Sequence, residues 1–224
     1  MEKKVTVIIP AHNEERSIAS VIEIAKNDSL TNEIIVVTNK CTDDTEQISK
    51  NAGAIVVNCD TLGKGYAMAE GVKAASNEVI VFLDADIINY NTNIVSLLAS
   101  PVLNNEADFV KSTFDRVKGG TVTKLVVQPL LKTLYPDLYE FQEPISGMIA
   151  SKKSILEKLT FETDYGVDIA IVLDIYKLGI KMKEVNIGEI LNMSHEAKTI
   201  ETMQKMSSEI IRAIIKKSKE HNIL

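Results

Sequence analysis

Two aspartates one residue apart form the strongest chemical signal in this sequence. Asp84 and Asp86 directly follow residues 79–83, an apolar and largely β-branched run that is typical of a buried strand. Carboxylates this close repel each other unless a cation or a hydrogen-bond donor neutralises them. Oxygen ligands of this kind suit Mg²⁺ or Mn²⁺, which often bridge to a substrate's phosphates. A solvated turn with an acidic helix cap is the alternative, and the strand context favours the metal.

A small glycine loop is the second candidate for binding chemistry. Gly63, Lys64 and Gly65 precede a helical pattern that runs to about residue 76. Glycines let the backbone approach an anion, a helix N-terminus presents free N–H groups, and Lys64 adds a positive charge. The loop lacks Walker A spacing, and the first βα turn lacks the GxGxxG of a dinucleotide site. A plain tight turn explains the loop equally well.

Two later residues are weaker candidates. His195 lies between the last predicted strand and the last predicted helix, and an imidazole could complete a metal shell if the chain returns it to the carboxylates. A structural or exposed histidine is the commoner case. Asp168 follows Asp164 by four residues, so both lie on one helix face. It either orients the hydroxyls of a sugar or acceptor, or acts as an ordinary acid at a helix N-terminus.

Several function classes lack support. The sequence has no GxSxG, HExxH or CxxC motif, so hydrolase, zinc-protease and thiol-redox chemistry are not indicated. With 25 Lys+Arg against 31 Asp+Glu, the net charge of −6 disfavours a broad grip on nucleic acid. Cys41 and Cys59 are predicted to be reduced thiols of a cytoplasmic protein. No secretory signal is recognised, and no apolar run approaches the about 18 residues of a membrane span.

The elements that must position these residues alternate in the first half of the chain. Strands are predicted over residues 5–9, 34–37, 54–57 and 79–83, with helices between them, and Asn13 is expected to cap the first helix. Successive βαβ units predict an α/β fold with a parallel sheet and helices on both faces. Ligands of such sheets bind beyond the carboxyl ends of the strands, which is where the polar clusters of this sequence fall.

The second half is less regular. Strands are predicted over residues 108–112, 146–150 and 181–189, and helices over residues 164–177 and 200–217. A helical pattern also follows Gly120 as far as residue 134, and Pro129 is expected to kink it. The last helix carries Met203, Met206 and Ile210 on one side, and this side could face a core, a second copy or a membrane surface.

Three motifs together resemble the nucleotide-sugar glycosyltransferases with the GT-A fold. They are residues 10–15 (PAHNEE), residues 38–45 (TNKCTDDT) and residues 83–86 (LDAD), the last matching the metal-binding DxD of that family. Within it, the chain resembles the glucosyl-3-phosphoglycerate and mannosylglycerate synthases. This narrower resemblance covers nearly the whole chain through short motifs in the same order: residues 63–65, 110–112, 119–123, 128–131, 144–147, 165–169 and 185–188.

The resemblance implies a GT-A fold with a mostly parallel sheet flanked by helices. It implies a single domain over residues 1–224, with a nucleotide-sugar-binding half at residues 1–90 and an acceptor-binding half at residues 91–224. The residues implied to bind the nucleotide sugar are Pro10, Ala11, Asn13, Glu14, Asn39, Lys64, Asp84 and Ala85. Those implied to bind Mg²⁺ or Mn²⁺ are Asp84, Asp86 and His195, and those implied to be catalytic are Asp86 and Asp168. The implied acceptor-binding residues are Gly120, Thr121, Thr123, Ser146, Gly147 and Tyr165.

The implied activity is a metal-dependent transfer of a hexose, glucose in the first place, from a UDP- or GDP-sugar. The acceptor would be a small acid or polyol such as 3-phosphoglycerate or glycerate, the anomeric configuration would be retained, and the enzyme would be a cytoplasmic homodimer. Family members that use 3-phosphoglycerate carry an arginine where this chain has Thr121 and an asparagine where it has Ala197, so the acceptor stays open. The alternatives are a polyprenyl-phosphate glycosyltransferase at a membrane surface, and a nucleotidyltransferase or nucleotide-binding module without transferase activity.

Overall fold

One seven-stranded sheet organises the protein. The structure, a computed structural model, describes residues 5–116, 120–191 and 199–224. The strands are β1 (Val5–Ala11), β2 (Thr31–Asn39), β3 (Ile55–Cys59), β4 (Val79–Phe82), β5 (Phe109–Arg116), β6 (Ile149–Lys152) and β7 (Met182–Ile190). Their order across the sheet is β3-β2-β1-β4-β6-β5-β7, and β6 alone among them runs antiparallel to its neighbours, β4 and β5. The prediction of a mostly parallel sheet is therefore confirmed.

Helices cover both faces of this sheet. They are α1 (Ile18–Asn27), α2 (Thr45–Asn51), α3 (Lys64–Ala74), α4 (Ile94–Leu103), α5 (Gln128–Leu134), α6 (Lys153–Leu156), α7 (Val167–Lys177) and α8 (Ile200–Glu220). Successive strand residues fall in opposite apolar clusters: Val7 packs with α1 and α4, and Ile8 packs with α3, α7 and α8. Strands buried on both faces account for the continuous apolar runs of the sequence.

The carboxyl ends of four parallel strands meet at one edge of the sheet. Strand β1 pairs in parallel with β2 and β4, and β2 pairs in parallel with β3. The loops that leave these ends begin at His12, Lys40, Asp60 and Leu83. The polar clusters of the sequence therefore lie along one edge, as predicted.

Some helix and strand starts differ from the prediction. Asn13 does not cap α1, which begins only at Ile18; its Oδ1 instead accepts the N–H of Thr42 at 2.8 Å across two loops. Helix α7 begins at Val167 rather than at residue 164, because Asp164 accepts the N–H of Gly166 and closes a turn. Strand β6 begins three residues later than expected, and α4 was not predicted at all.

The expected break at Pro129 takes the form of a π-helical turn. Residues Thr123–Val127 form this turn, and Pro129 lies in the first turn of α5 immediately after it. Proline lacks an N–H and crowds the carbonyl four residues earlier, so a widened turn accommodates it without ending the helix.

Helix α8 packs its apolar side onto the protein core. Met206, Ile210 and Ile214 are buried, and Ile210 and Ile214 join the cluster that contains α7. Of the three surroundings considered for this side, core packing is the one observed. In the part of the chain that the structure describes, no helix combines the length and apolarity that a membrane crossing requires.

Candidate active site

The turn after β4 presents the two aspartates at the shared edge. Asp84 and Asp86 are half-buried, and Ala85 between them is buried. The hydroxyl of Tyr90 accepts the N–H of Asp84 and donates to its carbonyl, both at 3.0 Å. Burial, Asp84 and Asp86 raise the pKa of Tyr90 well above its usual value, so the hydroxyl keeps the proton that it donates. Tyr90 thus fixes the turn, a role that the sequence analysis missed.

Lys64 joins two carboxylates from distant parts of the chain. Its Nζ lies 3.1 Å from Asp84 Oδ1 and 2.9 Å from Asp168 Oδ2, and Asp168 is only 6% exposed in the first turn of α7. Burial alone would lower the pKa of Lys64, but Asp168 and Asp84 outweigh it and raise that pKa. The predicted phosphate-binding lysine and the predicted catalytic aspartate therefore meet beside the DxD turn.

The glycines around Lys64 are required by close packing. A Cβ on Gly65 would overlap the carbonyl of Glu162, and one on Gly63, at φ 146°, would overlap the carbonyl of Thr163. A Cβ on Gly147 would overlap the Asp84 carboxylate and the Lys64 ammonium. The glycine loop therefore seats α3 against the segment before α7, which is what lets Lys64 reach Asp168.

The ends of β1 and β2 are tied together by polar contacts. His12 Nδ1 lies 2.5 Å from the carbonyl of Asn39, beyond the half-buried Pro10 and the buried Ala11. The side chain of Asn39 accepts the N–H of Gly63 at 2.7 Å and donates to the carbonyl of Thr61 at 2.7 Å. Asn39 was predicted to bind the nucleotide, but its side chain instead hydrogen-bonds to the loop before α3 and positions it.

Several carboxylates lie close together in the loops that follow β1, β2 and β4. Burial, followed by the charges of Asp86, Asp43 and Asp84, raises the pKa of Glu14 to about 7, although a hydrogen bond from Ser17 opposes the shift. Burial is the main cause of this shift, and the part that comes from the neighbouring carboxylates indicates a place where a cation would be stabilised.

The donor set at this place fits a divalent cation. Asp84 and Asp86 offer carboxylate oxygens, and Mg²⁺ is commonly held by one or two carboxylates while water and substrate phosphates complete its shell. Within residues 5–116, 120–191 and 199–224, no group of three or more His, Cys, Asp or Glu is arranged as a complete metal site. His195, the predicted third ligand, lies outside the described residues.

The predicted acceptor residues fall into two groups. Ser146 Oγ is buried against Ser112 Oγ at 2.5 Å and accepts the N–H of Met148, so it belongs to the support of the Gly147 segment. Thr123 Oγ1 is buried and finds no hydrogen-bond partner among the described residues. Gly120, at φ 80°, and the exposed Thr121 precede it, and Tyr165 is 42% exposed before α7.

One charged residue of the site was given no role by the sequence analysis, although residues 110–112 are among the motifs of the resemblance. Lys111 on β5 is fully buried, and its Nζ donates to the main-chain carbonyl of Asp168 at 3.3 Å. Burial lowers the pKa of Lys111 to about 8, with Asp168 opposing the shift and Lys64 adding to it. The available signal was a lysine directly after the apolar Phe109 and Val110 in a predicted strand.

Comparisons with known proteins agree with this geometry. Residues 6–161 match the model of Glycosyl transferase family 2. The chain is 33% identical to the glucosyl-3-phosphoglycerate synthase of Mycobacterium tuberculosis (strain CDC 1551 / Oshkosh), covering 95% of this chain and 73% of that protein. It is 31% identical to the enzyme of the same name from Petrotoga mobilis, covering 99% of this chain and 75% of that protein.

A solved structure extends the likeness to the fold. The crystal structure of the M. tuberculosis synthase in complex with Mn²⁺, UDP-glucose and phosphoglyceric acid superposes with a TM-score of 0.89 at 33% identity. The match covers 97% of this chain and 80% of that one. The fold is therefore of the GT-A type, as the resemblance implied. The chain belongs to glycosyl transferase family 2 and is a glycosyltransferase.

Proposed function

We propose that this enzyme transfers glucose from UDP-glucose to 3-phosphoglycerate and uses Mg²⁺ or Mn²⁺. The observation that carries the proposal is the convergence of Asp84, Asp86, Lys64 and Asp168 at the carboxyl edge of the sheet. The M. tuberculosis relative, whose structure holds Mn²⁺, UDP-glucose and phosphoglyceric acid, supports this choice of substrates. Residues 1–90 would bind the donor and residues 91–224 the acceptor within one domain.

Each residue at the edge has a distinct part in the proposed reaction. Asp84 and Asp86 would hold the divalent cation, with His195 as the proposed third ligand. When bound, the cation supplies positive charge that stabilises the nucleoside diphosphate as the glycosidic bond breaks. Lys64 keeps its charge and adds a second cation at the same place. Pro10, Ala11, Asn13 and Glu14 would line the nucleotide end.

The acceptor side supplies positioning. Asp168, held by Lys64 at 2.9 Å, can accept a hydrogen bond from a hydroxyl of the sugar or of the acceptor. Holding that hydroxyl against the anomeric carbon replaces a bimolecular encounter with an oriented one, which lowers the barrier substantially. Retention of configuration stays part of this proposal.

Thr123 is the proposed contact for the acceptor's phosphate. Its buried hydroxyl has no partner among the described residues, and burying a hydroxyl without a partner is unfavourable. The phosphate would therefore accept a hydrogen bond from the Thr123 hydroxyl, which has no other partner among the described residues. Thr121, which replaces the arginine of 3-phosphoglycerate-using relatives, is expected to make this grip weaker than theirs.

The structure gives no support to the alternative acceptor, a polyprenyl phosphate at a membrane surface. That proposal depended on the apolar side of α8, and the core covers Met206, Ile210 and Ile214. A cytoplasmic location and a homodimer stay predictions, and light scattering on the purified chain tests the second.

A donor and acceptor screen tests the proposal. UDP-, GDP- and ADP-glucose are each incubated with Mn²⁺ and with 3-phosphoglycerate, glycerate or a prenyl phosphate, and nucleoside diphosphate release and product mass are measured. We expect glucosyl-3-phosphoglycerate from UDP-glucose. A product formed only with another acceptor would contradict the acceptor assignment, and one formed only from another nucleotide would contradict the donor assignment.

One variant tests the metal site through donor binding. Asp86→Ala should abolish Mn²⁺-dependent binding of UDP-glucose in calorimetry while leaving the melting temperature unchanged. Glu157→Gln, directly after α6 and away from the shared edge, is the control and should bind as the wild type does. Unchanged donor binding in Asp86→Ala would count against the metal site.

A further inference from the structure

A buried lysine lies behind the catalytic edge with no direct part in the proposed reaction. Lys111 on β5 is 0% exposed, and in the sheet it is directly opposite Glu184 on β7. Its side chain is on the same face as Phe109, two residues earlier, and this is the face that α7 covers. From there Nζ reaches the carbonyl of Asp168 at 3.3 Å.

Charges alternate in sign along a row that ends at the DxD turn. Glu184 accepts the N–H of Gln142 at 2.9 Å, and Lys111 follows it across the sheet. Next come Asp168 and then Lys64, whose Nζ contacts both Asp168 and Asp84. Asp168 is therefore placed between two lysines, one at the edge where substrates bind and one behind it.

Stability alone does not account for a lysine at this position. Burying an ammonium group is costly, and an apolar side chain of similar length would pack there without that penalty. A cation beside the first turn of a helix also opposes the helix dipole. The presence of a lysine here in spite of both effects points to a requirement of the site.

We propose that Lys111 is a positioning residue that holds the first turn of α7, and through it keeps the Asp168 carboxylate in place. The inference deepens the proposed function and rests on it. When the diphosphate of the donor arrives, Lys64 gains a competing anion, so its contact with Asp168 weakens. Lys111 is shielded from the donor by its burial, and its contact with α7 does not depend on the donor.

Hydrogen exchange tests the positioning role without any substrate. In Lys111→Met, the amides of residues 167–171 should exchange about fivefold faster or more than in the wild type, while those of β1 and β4 stay unchanged. The matched control is Lys152→Met, another lysine of the sheet, which pairs with Asp108 at 2.6 Å. Equal exchange of α7 in Lys111→Met and Lys152→Met would overturn the proposal.

A double-mutant cycle tests whether Lys111 acts through Asp168. Lys111→Met should lower kcat about tenfold or more and leave KM for UDP-glucose within about threefold of the wild type. In the Asp168→Asn background the same substitution should cause no further loss. Independent losses that multiply would show a merely structural role and overturn the proposal.

The two arms separate this inference from the proposed function. A wild-type chain that fails to transfer glucose would contradict the function, and the exchange of α7 would still decide whether Lys111 holds that turn. If Lys111→Met does not fold, Lys111→Arg is used instead, because it keeps the positive charge but moves it. The hydrogen-exchange measurement and the double-mutant cycle are then made with this variant and judged by the same criteria.

Discussion

At the scale of single residues, the site depends on one ammonium group shared by two carboxylates. Lys64 contacts Asp84 and Asp168, and the absence of a side chain at Gly147 leaves the room for this contact. Asp84 therefore has two functions, as a partner of Lys64 and as a proposed metal ligand. Any atom that enters between these groups should disturb catalysis more than folding.

Gly147→Ala should separate activity from stability. The added Cβ would overlap the Asp84 carboxylate and the Lys64 ammonium and force the pair apart. We expect kcat/KM for UDP-glucose to fall about a hundredfold, with the cost in unfolding free energy limited to about 1–2 kcal/mol. Steady-state kinetics and urea denaturation measure the two effects.

Gly179→Ala provides the opposite control. Gly179 has φ 65° with open space around its Cβ position, so alanine there strains the backbone without touching the site. This variant should lose about 1 kcal/mol of stability and keep its kcat/KM. The interpretation fails if both variants lose activity in proportion to stability.

At the scale of elements, the start of α3 and the start of α7 form one unit. Gly63 and Gly65 allow the backbone at residues 162–163 to pass against α3, and α7 follows that segment directly. Helix α8 also packs against α7, and its Ile210 and Ile214 belong to the same apolar cluster. The position of Asp168 thus depends on packing contributed by the last helix.

Ile210→Ala tests whether α8 belongs to the core. Ile210 is buried, so its truncation should cost about 3 kcal/mol of unfolding free energy by removing apolar contacts and leaving a cavity. Ile215→Ala on the same helix is the matched control, since Ile215 is 38% exposed and should lose less than about 1 kcal/mol. Full stability of Ile210→Ala combined with weaker binding to lipid vesicles would instead indicate a membrane-facing helix.

At the scale of the whole molecule, a second buried polar cluster holds the C-terminal end of α8 against α7. Asp174 on α7 contacts Lys217 at 2.8 Å and His221 Nε2 at 3.0 Å, and His221 Nδ1 lies 3.1 Å from the hydroxyl of Tyr135. His221 is only 7% exposed, so the C-terminal end of α8 packs against the rest of the protein. This cluster joins α5, α7 and α8.

Lys217→Met should destabilise the fold in a pH-dependent way. Burial lowers the pKa of Lys217, but Asp174 and Glu220 outweigh it and raise that pKa above its ordinary value. A raised pKa means that the charge stabilises fully below about pH 10.5 and that this contribution disappears as the pH rises further. The variant should lose about 3 kcal/mol at pH 7, and its deficit should shrink as the pH rises above about 10.5.

Urea denaturation across this pH range measures the effect. Lys216→Met is the matched control, because Lys216 pairs with Glu162 at 2.6 Å but is half exposed, and it should lose less than about 1 kcal/mol. A deficit of Lys217→Met that stays constant to pH 12 would show that packing, and not charge, explains the loss.

What the sequence predicts well here is what depends on local pattern. Buried strands such as β4 follow from continuous β-branched runs, and the DxD turn follows from its place after such a run. The partners of Asn13 and Asn39 were not predictable, because their contacts cross between loops that only the fold brings together. Lys111 and Tyr90 were given no role for the same reason, since Lys111 contacts the main chain of Asp168 far along the sequence and Tyr90 contacts that of Asp84 across a turn.

The direction of the short strand β6 has a consequence for how the two halves of the chain meet. Phe82 lies opposite Ile149, and because these strands run in opposite senses, two steps forward from Phe82 and two steps back from Ile149 lead to the same spot. Asp84 and Gly147 therefore become neighbours by geometry alone, without any long loop. Had β6 run in the other direction, this neighbour of the aspartate would have emerged at the opposite edge of the sheet, so the orientation of four residues decides which segment borders the proposed cation site.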